Sequence, residues 1–302
     1  MTLYEFAAIL GAIAMKSNPN RNAIPERIQP TAEANVQTPT APKKVKIDTI
    51  GVKTTAPSVV VIDMGSGSVL YSRQSTVKQP IASLTKLVSA MVILDHGLLK
   101  GDSLVIAPDD IEKIGSDRLN AGDVVPRPEA FKAFLSESLN EVGNAFARVY
   151  PGGRDAFIAA MNEKAKSLGL EQASFADPTG IDADSMASAV DVARILRSAT
   201  AYTEIREATE SGAYTLKTVN GRSVRVMPTN LLLDSYLNKD PYKIVAGKTG
   251  SLPEAGFCLG QVTRNAAGHQ VIAVALGSET HLDRFQDVKS LTAWAFDTYS
   301  WE

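Results

Sequence analysis

The chain has 302 residues, 44% of them hydrophobic and 21% charged, with a formal net charge of −2; this is the composition of a soluble chain able to bury a full core in one or two domains. So balanced a charge offers no basic surface for nucleic acid. A single cysteine, Cys258, excludes a disulfide framework, and three scattered histidines without a ligand pattern point to neither a metal nor another cofactor.

The first segment, Leu3 to Met15, is mostly apolar but interrupted by Glu5. It is shorter than the roughly 20 residues that span a bilayer, and it lacks the basic start and cleavage site of a signal peptide. Residues 1–16 therefore read either as a partial signal or anchor, or as a frayed amphipathic helix. Residues 17–50 hold five of the fifteen prolines, and no aromatic falls between Phe6 and Tyr71. Such a stretch buries too little apolar area to offset its ordering entropy. A mobile linker is expected, one that suits membrane association, although an ordinary disordered tail has the same composition.

Residues 51–302 are expected to form the folded domain. Ser58 to Asp63 is a buried-strand run, Met64-Gly-Ser-Gly67 a turn, and Ser68 to Ser72 the hairpin partner. Leu84, Leu87, Val88 and Met91 recur at i, i+3, i+4, i+7 and predict an amphipathic helix. Val142 to Val149 and Phe157 to Leu168 predict two more, and Ser188 with Asp191 marks another helix start. Lys243 to Gly250 reads as a strand, Phe257 to Thr263 and His269 to Leu276 as a hairpin, and Phe285 to Ala295 as a last helix. Strands at both ends with helices between predict an α+β fold: one antiparallel sheet drawn from both chain ends, an inserted helical subdomain, and a cleft at the junction.

Three short motifs could carry chemistry. In Ser83-Leu-Thr-Lys86 a helical i, i+3 spacing brings the amine to the hydroxyl, and an apolar setting would lower the amine's pKa so that it serves as a base. Alone the motif is weak, since roughly one Ser-x-x-Lys arises by chance in a chain this long. A second copy, Ser75-Thr-Val-Lys78, lies in a polar turn and reads as the chance match. Ser138-Leu-Asn140 falls between two helices, where it could face a cleft; taken by itself it reads as a capping pair. Lys248-Thr-Gly250 supplies a positive charge, a hydroxyl donor and a glycine that lets a ligand approach the strand.

The order Ser-x-x-Lys, Ser-x-Asn, Lys-Thr-Gly resembles the penicillin-recognising serine enzymes. The likeness runs from about Pro57 to Trp301, through Tyr150-Pro-Gly-Gly153, Asp177-Pro-Thr-Gly180, Thr229-Asn-Leu-Leu232 and Ala255-Gly-Phe-Cys-Leu259. It identifies the chain as similar to the serine D-Ala-D-Ala carboxypeptidases and D-alanyl-D-alanine endopeptidases, the low-molecular-mass penicillin-binding proteins, with a β-lactamase/transpeptidase-like fold. The resemblance implies Ser83 as acylated nucleophile, Lys86 as its base and Ser138 as proton shuttle. It implies Asn140, Lys248, Thr249, Gly250, Ser251 and Arg284 as substrate-binding residues. Within that set, the N–H groups of Ser83 and Ser251 form an oxyanion hole, and Arg284 is a second carboxylate contact. It further implies peptidoglycan stem peptides as substrate, β-lactams as inhibitors, no cofactor, and an extracytoplasmic location.

Two departures from the family are visible. Glu141 follows Asn140 where many relatives have Asp, and the chain stops at Glu302 without the β-rich C-terminal domain of many carboxypeptidases. The second leans towards the stand-alone endopeptidases. A class A β-lactamase would need a glutamate on a loop after the helical middle, where Asp177-Pro-Thr-Gly180 stands instead. A catalytically silent wall-binding module is at odds with three intact motifs, and His96, His269 and His281 lie outside every motif a Ser-His-Asp hydrolase would use.

Overall fold

The computed structural model describes residues 40–112 and 118–301. The expected apolar segment, and the linker as far as residue 39, lie outside the described residues. Among the described residues strand pairing begins at β1 (Lys43–Lys44), which joins the strand at residues 299–300. The hairpin β2 (Ser58–Asp63) and β3 (Val69–Arg73) follows. Its turn is closed by Ser66, whose N–H and hydroxyl both donate to Asp63 Oδ2.

After β4 (Gln79–Pro80), a 3-10 turn over Ala82–Thr85 runs directly into α1 (Lys86–Asp95). The small pair β5 (Ser103–Val105) and β6 (Val124–Pro126) leads to α2 (Arg127–Ser136), α3 (Asn140–Val149) and α4 (Gly153–Ser167). Next come β7 (Met186–Ala187), which pairs with β4, then α5 (Ala189–Ala199) and α6 (Thr203–Glu210). Ser188 caps α5 as expected, its Oγ accepting from Asp191 N–H at 3.1 Å. A hairpin of β8 (Tyr214–Lys217) and β9 (Ser223–Val226) precedes the long strands β10 (Lys243–Leu252), β11 (Gly256–Arg264) and β12 (Gln270–Ser278). The chain closes with α7 (Asp283–Thr298) and β13 (Tyr299–Ser300), the partner of β1.

The central sheet has the order β10-β11-β12-β2-β3, antiparallel throughout. It is the sheet expected from both chain ends, with α1 to α6 inserted between them. Successive side chains of a strand point to opposite faces. Val60, Ile62, Val262, Ile272 and Val274 therefore join the large core of the helical insertion, while Val59, Val61, Val271, Ala273 and Ala275 join a second core against α7. Both faces are covered, which is why β2 reads as an unbroken apolar run.

One expectation is corrected. The spacing of Leu84, Leu87, Val88 and Met91 predicted an amphipathic helix, but every residue of α1 from Lys86 to Ile93 is buried. Its packing partners α2, α3, α4 and α5 surround it, and a helix so enclosed shows no polar face. Its two buried polar residues are satisfied internally: Ser89 Oγ donates to Pro178 O at 2.5 Å, and Lys86 Nζ donates to Ser83 Oγ.

Candidate active site

Ser83 lies in the 3-10 turn rather than in the α-helix proper. The turn is entered through β4 and a bond from Ile81 N–H to Ser185 O at 3.2 Å. Just before Ser83, Ala82 holds a φ of +49°, a left-handed value that costs a residue with a Cβ on the order of 1–2 kcal/mol. Two glycines press against this strained backbone. A Cβ on Gly180 would lie 1.9 Å from Ala82 O, and one on Gly250 would lie 2.7 Å from Ile81 O and 3.1 Å from Ser83 N. Only because both lack a Cβ can the 177–181 loop and strand β10 close onto the turn.

The continuous 3-10 to α path puts Lys86 one turn beyond Ser83, its Nζ donating to Ser83 Oγ at 2.9 Å. The same amine donates to Asn140 Oδ1 at 2.6 Å and to Thr179 O at 2.8 Å. Burial pushes the Lys86 amine down to about 7, against the carboxylates of Asp177, Glu141 and Glu112, which pull it up. Thr179 O is aimed by Asp177, whose carboxylate accepts from the N–H groups of Thr179, Gly180 and Ile181 and from the hydroxyls of Thr179 and Ser185.

Between α2 and α3, Ser138 has a φ of +70°, and the residue capping α3, Leu139, makes no side-chain cap bond. The Ser138 and Asn140 side chains do not cap the helix, as the isolated motif suggested; both turn to lysines. Lys248 Nζ donates to Ser138 Oγ at 2.8 Å and to Thr249 O at 3.0 Å. Lys248 is buried, and burial, then the charges of Lys86 and Arg284, hold its amine well below the usual lysine range.

Thr249, also buried, donates through Oγ1 to Thr229 Oγ1 at 2.6 Å. Ser251 is exposed on the same strand, opposite Phe257. Arg284 sits behind β10 with only 4% of its surface exposed. Its Nη1 donates to Gly250 O at 3.0 Å, and its guanidinium lies 4.8 Å from the Phe285 ring centre and 5.6 Å from that of Phe257. Burial lowers it to about 10, so it stays charged at neutral pH.

Ser83, Lys86, Asn140, Ser138, Lys248 and Thr249 thus form linked hydrogen-bonded sets, although they come from a turn, a loop with its following helix, and a strand. The other Ser-x-x-Lys lies apart: Ser75 is in a turn and Lys78 is exposed. His96 is exposed and satisfied, its ring nitrogens within 3.0 Å of Val92 O and of the Tyr150 hydroxyl.

A sequence profile described as D-alanyl-D-alanine carboxypeptidase matches residues 40–280. The chain belongs to the D-alanyl-D-alanine carboxypeptidase family. It is therefore a serine peptidase, a hydrolase. A D-alanyl-D-alanine endopeptidase of Pseudomonas aeruginosa is 32% identical over 241 residues, 78% of this chain and 76% of that protein. The carboxypeptidase DacF of Bacillus subtilis is 29% identical over 250 residues, 81% of this chain and 63% of that protein. The crystal structure of a Streptomyces DD-transpeptidase superposes with a TM-score of 0.76 at 26% identity, covering 82% of this chain and all (100%) of that one. The β-lactamase and silent-module readings are not favoured by these relatives.

Three residues of this family member escaped the motif reading: Asp177, Thr179 and Thr229. All three stood inside family-like segments, Asp177 and Thr179 in Asp177-Pro-Thr-Gly180 and Thr229 in Thr229-Asn-Leu-Leu232, but Thr179 acts through its carbonyl, which leaves no trace in side-chain identity. Glu141, the departure noted after Asn140, is buried, and its Oε1 accepts from the N–H groups of Arg118 and Leu119 at 3.0 Å each. It ties that backbone to α3.

The Gly180 contact has a direct test. Gly180→Ala imposes a φ of +80° on a residue with a Cβ and drives that Cβ into Ala82 O. The variant should lose about 2–4 kcal/mol of stability by denaturant unfolding, from left-handed strain plus overpacking. Wild-type stability would show that the loop yields freely at this point.

Proposed function

We propose that the protein is a D,D-peptidase of peptidoglycan stem peptides, working outside the cytoplasmic membrane and acylated by β-lactams at Ser83. One observation carries the mechanism. Two of the three partners of Lys86, Asn140 Oδ1 and Thr179 O, can only accept hydrogen bonds. A neutral amine has two N–H groups for these and one lone pair, which is left facing the Ser83 hydroxyl. Lys86 is thus arranged to take the Ser83 proton as Oγ attacks the carbonyl of the penultimate D-Ala.

The C–N bond then breaks, the leaving amine receives a proton by way of Ser138, and water hydrolyses the acyl-serine. The N–H groups of Ser83 and Ser251 would hold the oxyanion. Lys248 and Thr249 would hold the terminal carboxylate, with Arg284 supporting β10 from behind through Gly250 O. An export or anchor segment in residues 1–16, followed by a linker that ends before β1 at Lys43–Lys44 rather than running to residue 50, fits this location; among the described residues no helix is long and apolar enough to cross a membrane.

The relatives named endopeptidase and carboxypeptidase support two outlets for one chemistry, release of terminal D-alanine and cleavage of D-Ala-to-diamino-acid cross-links. Mass spectrometry of products from a monomeric pentapeptide and a cross-linked dimer should find both activities. Free D-alanine with intact dimers removes the endopeptidase half, the reverse pattern removes the carboxypeptidase half, and no product from either refutes the function.

A further inference from the structure

Twenty residues before Thr249, the chain passes the same point of the cleft wall at Thr229. The two hydroxyl oxygens are 2.6 Å apart. Thr229 is half-buried and fixed on both sides. Its N–H donates to Ser136 O at 2.9 Å, at the end of α2. The next residue, Asn230, is buried, with Nδ2 donating to Gln261 Oε1 at 3.0 Å and Oδ1 accepting from Leu232 N–H at 3.1 Å. The remaining acceptor near the Thr229 hydroxyl is Ser136 O at 3.4 Å, beyond the usual range for a hydroxyl donor.

A hydroxyl has one proton to give. With Thr249 donating to Thr229, the Thr249 oxygen turns lone pairs outward, the wrong polarity for a carboxylate. Rotation of both hydroxyls reverses the pair: Thr229 donates to Thr249, and the Thr249 proton is released towards the cleft. Because Ser136 O competes only weakly, little opposes that reversal.

Resting on the carboxylate role of Thr249 proposed above, we infer that Thr229 is a positioning residue that aims the Thr249 proton at the substrate's terminal carboxylate. Selectivity for a free carboxylate over a masked one then depends on the hydroxyl at 229. A charged acceptor gains more from an aimed proton than a neutral ester does, hydrogen bonds to charged groups being roughly twice as strong.

The test compares kcat/KM for an acylated peptide ending in D-Ala-D-Ala with that for the same peptide methylated at its terminal carboxyl. The full chain is used, as wild type, T229V, T229S, T249V and T229V/T249V. T229V should lower the acid-to-ester ratio about tenfold, the scale of one lost hydrogen bond to a charged group. T229S should keep the ratio, and the double variant should be no worse than T249V alone, as expected of residues acting as one unit. The inference is overturned if T229V slows both substrates equally, or if the double variant shows the product of the two single losses. Wild-type turnover with an unmoved ratio in T229V sinks this inference alone; absence of wild-type turnover on both peptides sinks the proposed function and the inference with it.

Discussion

Ser83→Ala should form no covalent adduct with a fluorescent penicillin, and its D-alanine release should fall by on the order of 10⁴-fold or more, as when a covalent nucleophile is removed. Ser75→Ala should label at the wild-type rate. The two sites differ in what surrounds the hydroxyl, not in the spacing to lysine. Ser83 shares a hydrogen bond with a buried amine whose two other partners are obligate acceptors. Its backbone is pressed between Gly180 and Gly250 at a strained Ala82. Such strain is kept only where the surroundings over-determine it. Ser75 stands in a turn, and Lys78, at the same spacing, is exposed to solvent and has no buried setting like that of Lys86. Replacing Ser83 by Ala removes one oxygen and leaves Lys86 with Asn140 Oδ1 and Thr179 O. Lost labelling would therefore report lost chemistry rather than lost fold. Labelling that persists in Ser83→Ala and vanishes in Ser75→Ala would reverse the assignment.

The difference between those two serines marks how far the amino-acid order can be read. The strand runs and their turn residues are local signals. Met64-Gly-Ser-Gly67 and Asn265-Ala-Ala-Gly268 sit where the hairpins turn, and the flanking apolar runs become β2, β11 and β12. The antiparallel sheet from both chain ends followed from the order of those elements. The hairpin of β8 and β9 was equally local, carried by Asn220 and by Gly221 at a φ of +92°, and went unread because its strands are short.

What periodicity could not convey was burial on all sides of α1. Its helical repeat is the same whether one face or every face is covered, and the covering helices come from far along the chain. The site divides in the same way. Three motifs were readable because they repeat side-chain types at fixed short spacings. The Asp177 loop acts on Lys86 through a backbone carbonyl, and Thr229 meets Thr249 only after the chain has returned along β10. Arg284, expected as a second carboxylate contact, is held by a strand carbonyl and two aromatic rings. That arrangement depends on the packing of α7 against the sheet, not on the position of an arginine at a helix start.

Lys86→Arg should slow acylation by ~10²–10⁴-fold, the range of a lost general base, although it keeps a positive charge at the same place. In the wild-type chain the acylation rate should rise as pH passes through about 7 and level off above it, because the amine must be neutral to accept the Ser83 proton. Below that pH the ammonium has a third N–H, which occupies Ser83 Oγ and leaves no lone pair. A guanidinium does not deprotonate in this range, so the rise should be absent in Lys86→Arg. The same ionisation acts on stability. In the unfolded chain the amine titrates near 10.5, and in the folded chain near 7. Between these values the unfolded state binds the extra proton, so stability from this group increases as pH rises across the window and is least below about 7. Arginine cannot shed its charge in that window, so the variant should melt at a lower temperature than wild type, most clearly at pH 8–9 by the same linkage. Near-wild-type acylation by Lys86→Arg, or an unchanged rise through pH 7 in that variant, would mean that Lys86 serves only as a fixed positive charge and that another group takes the Ser83 proton.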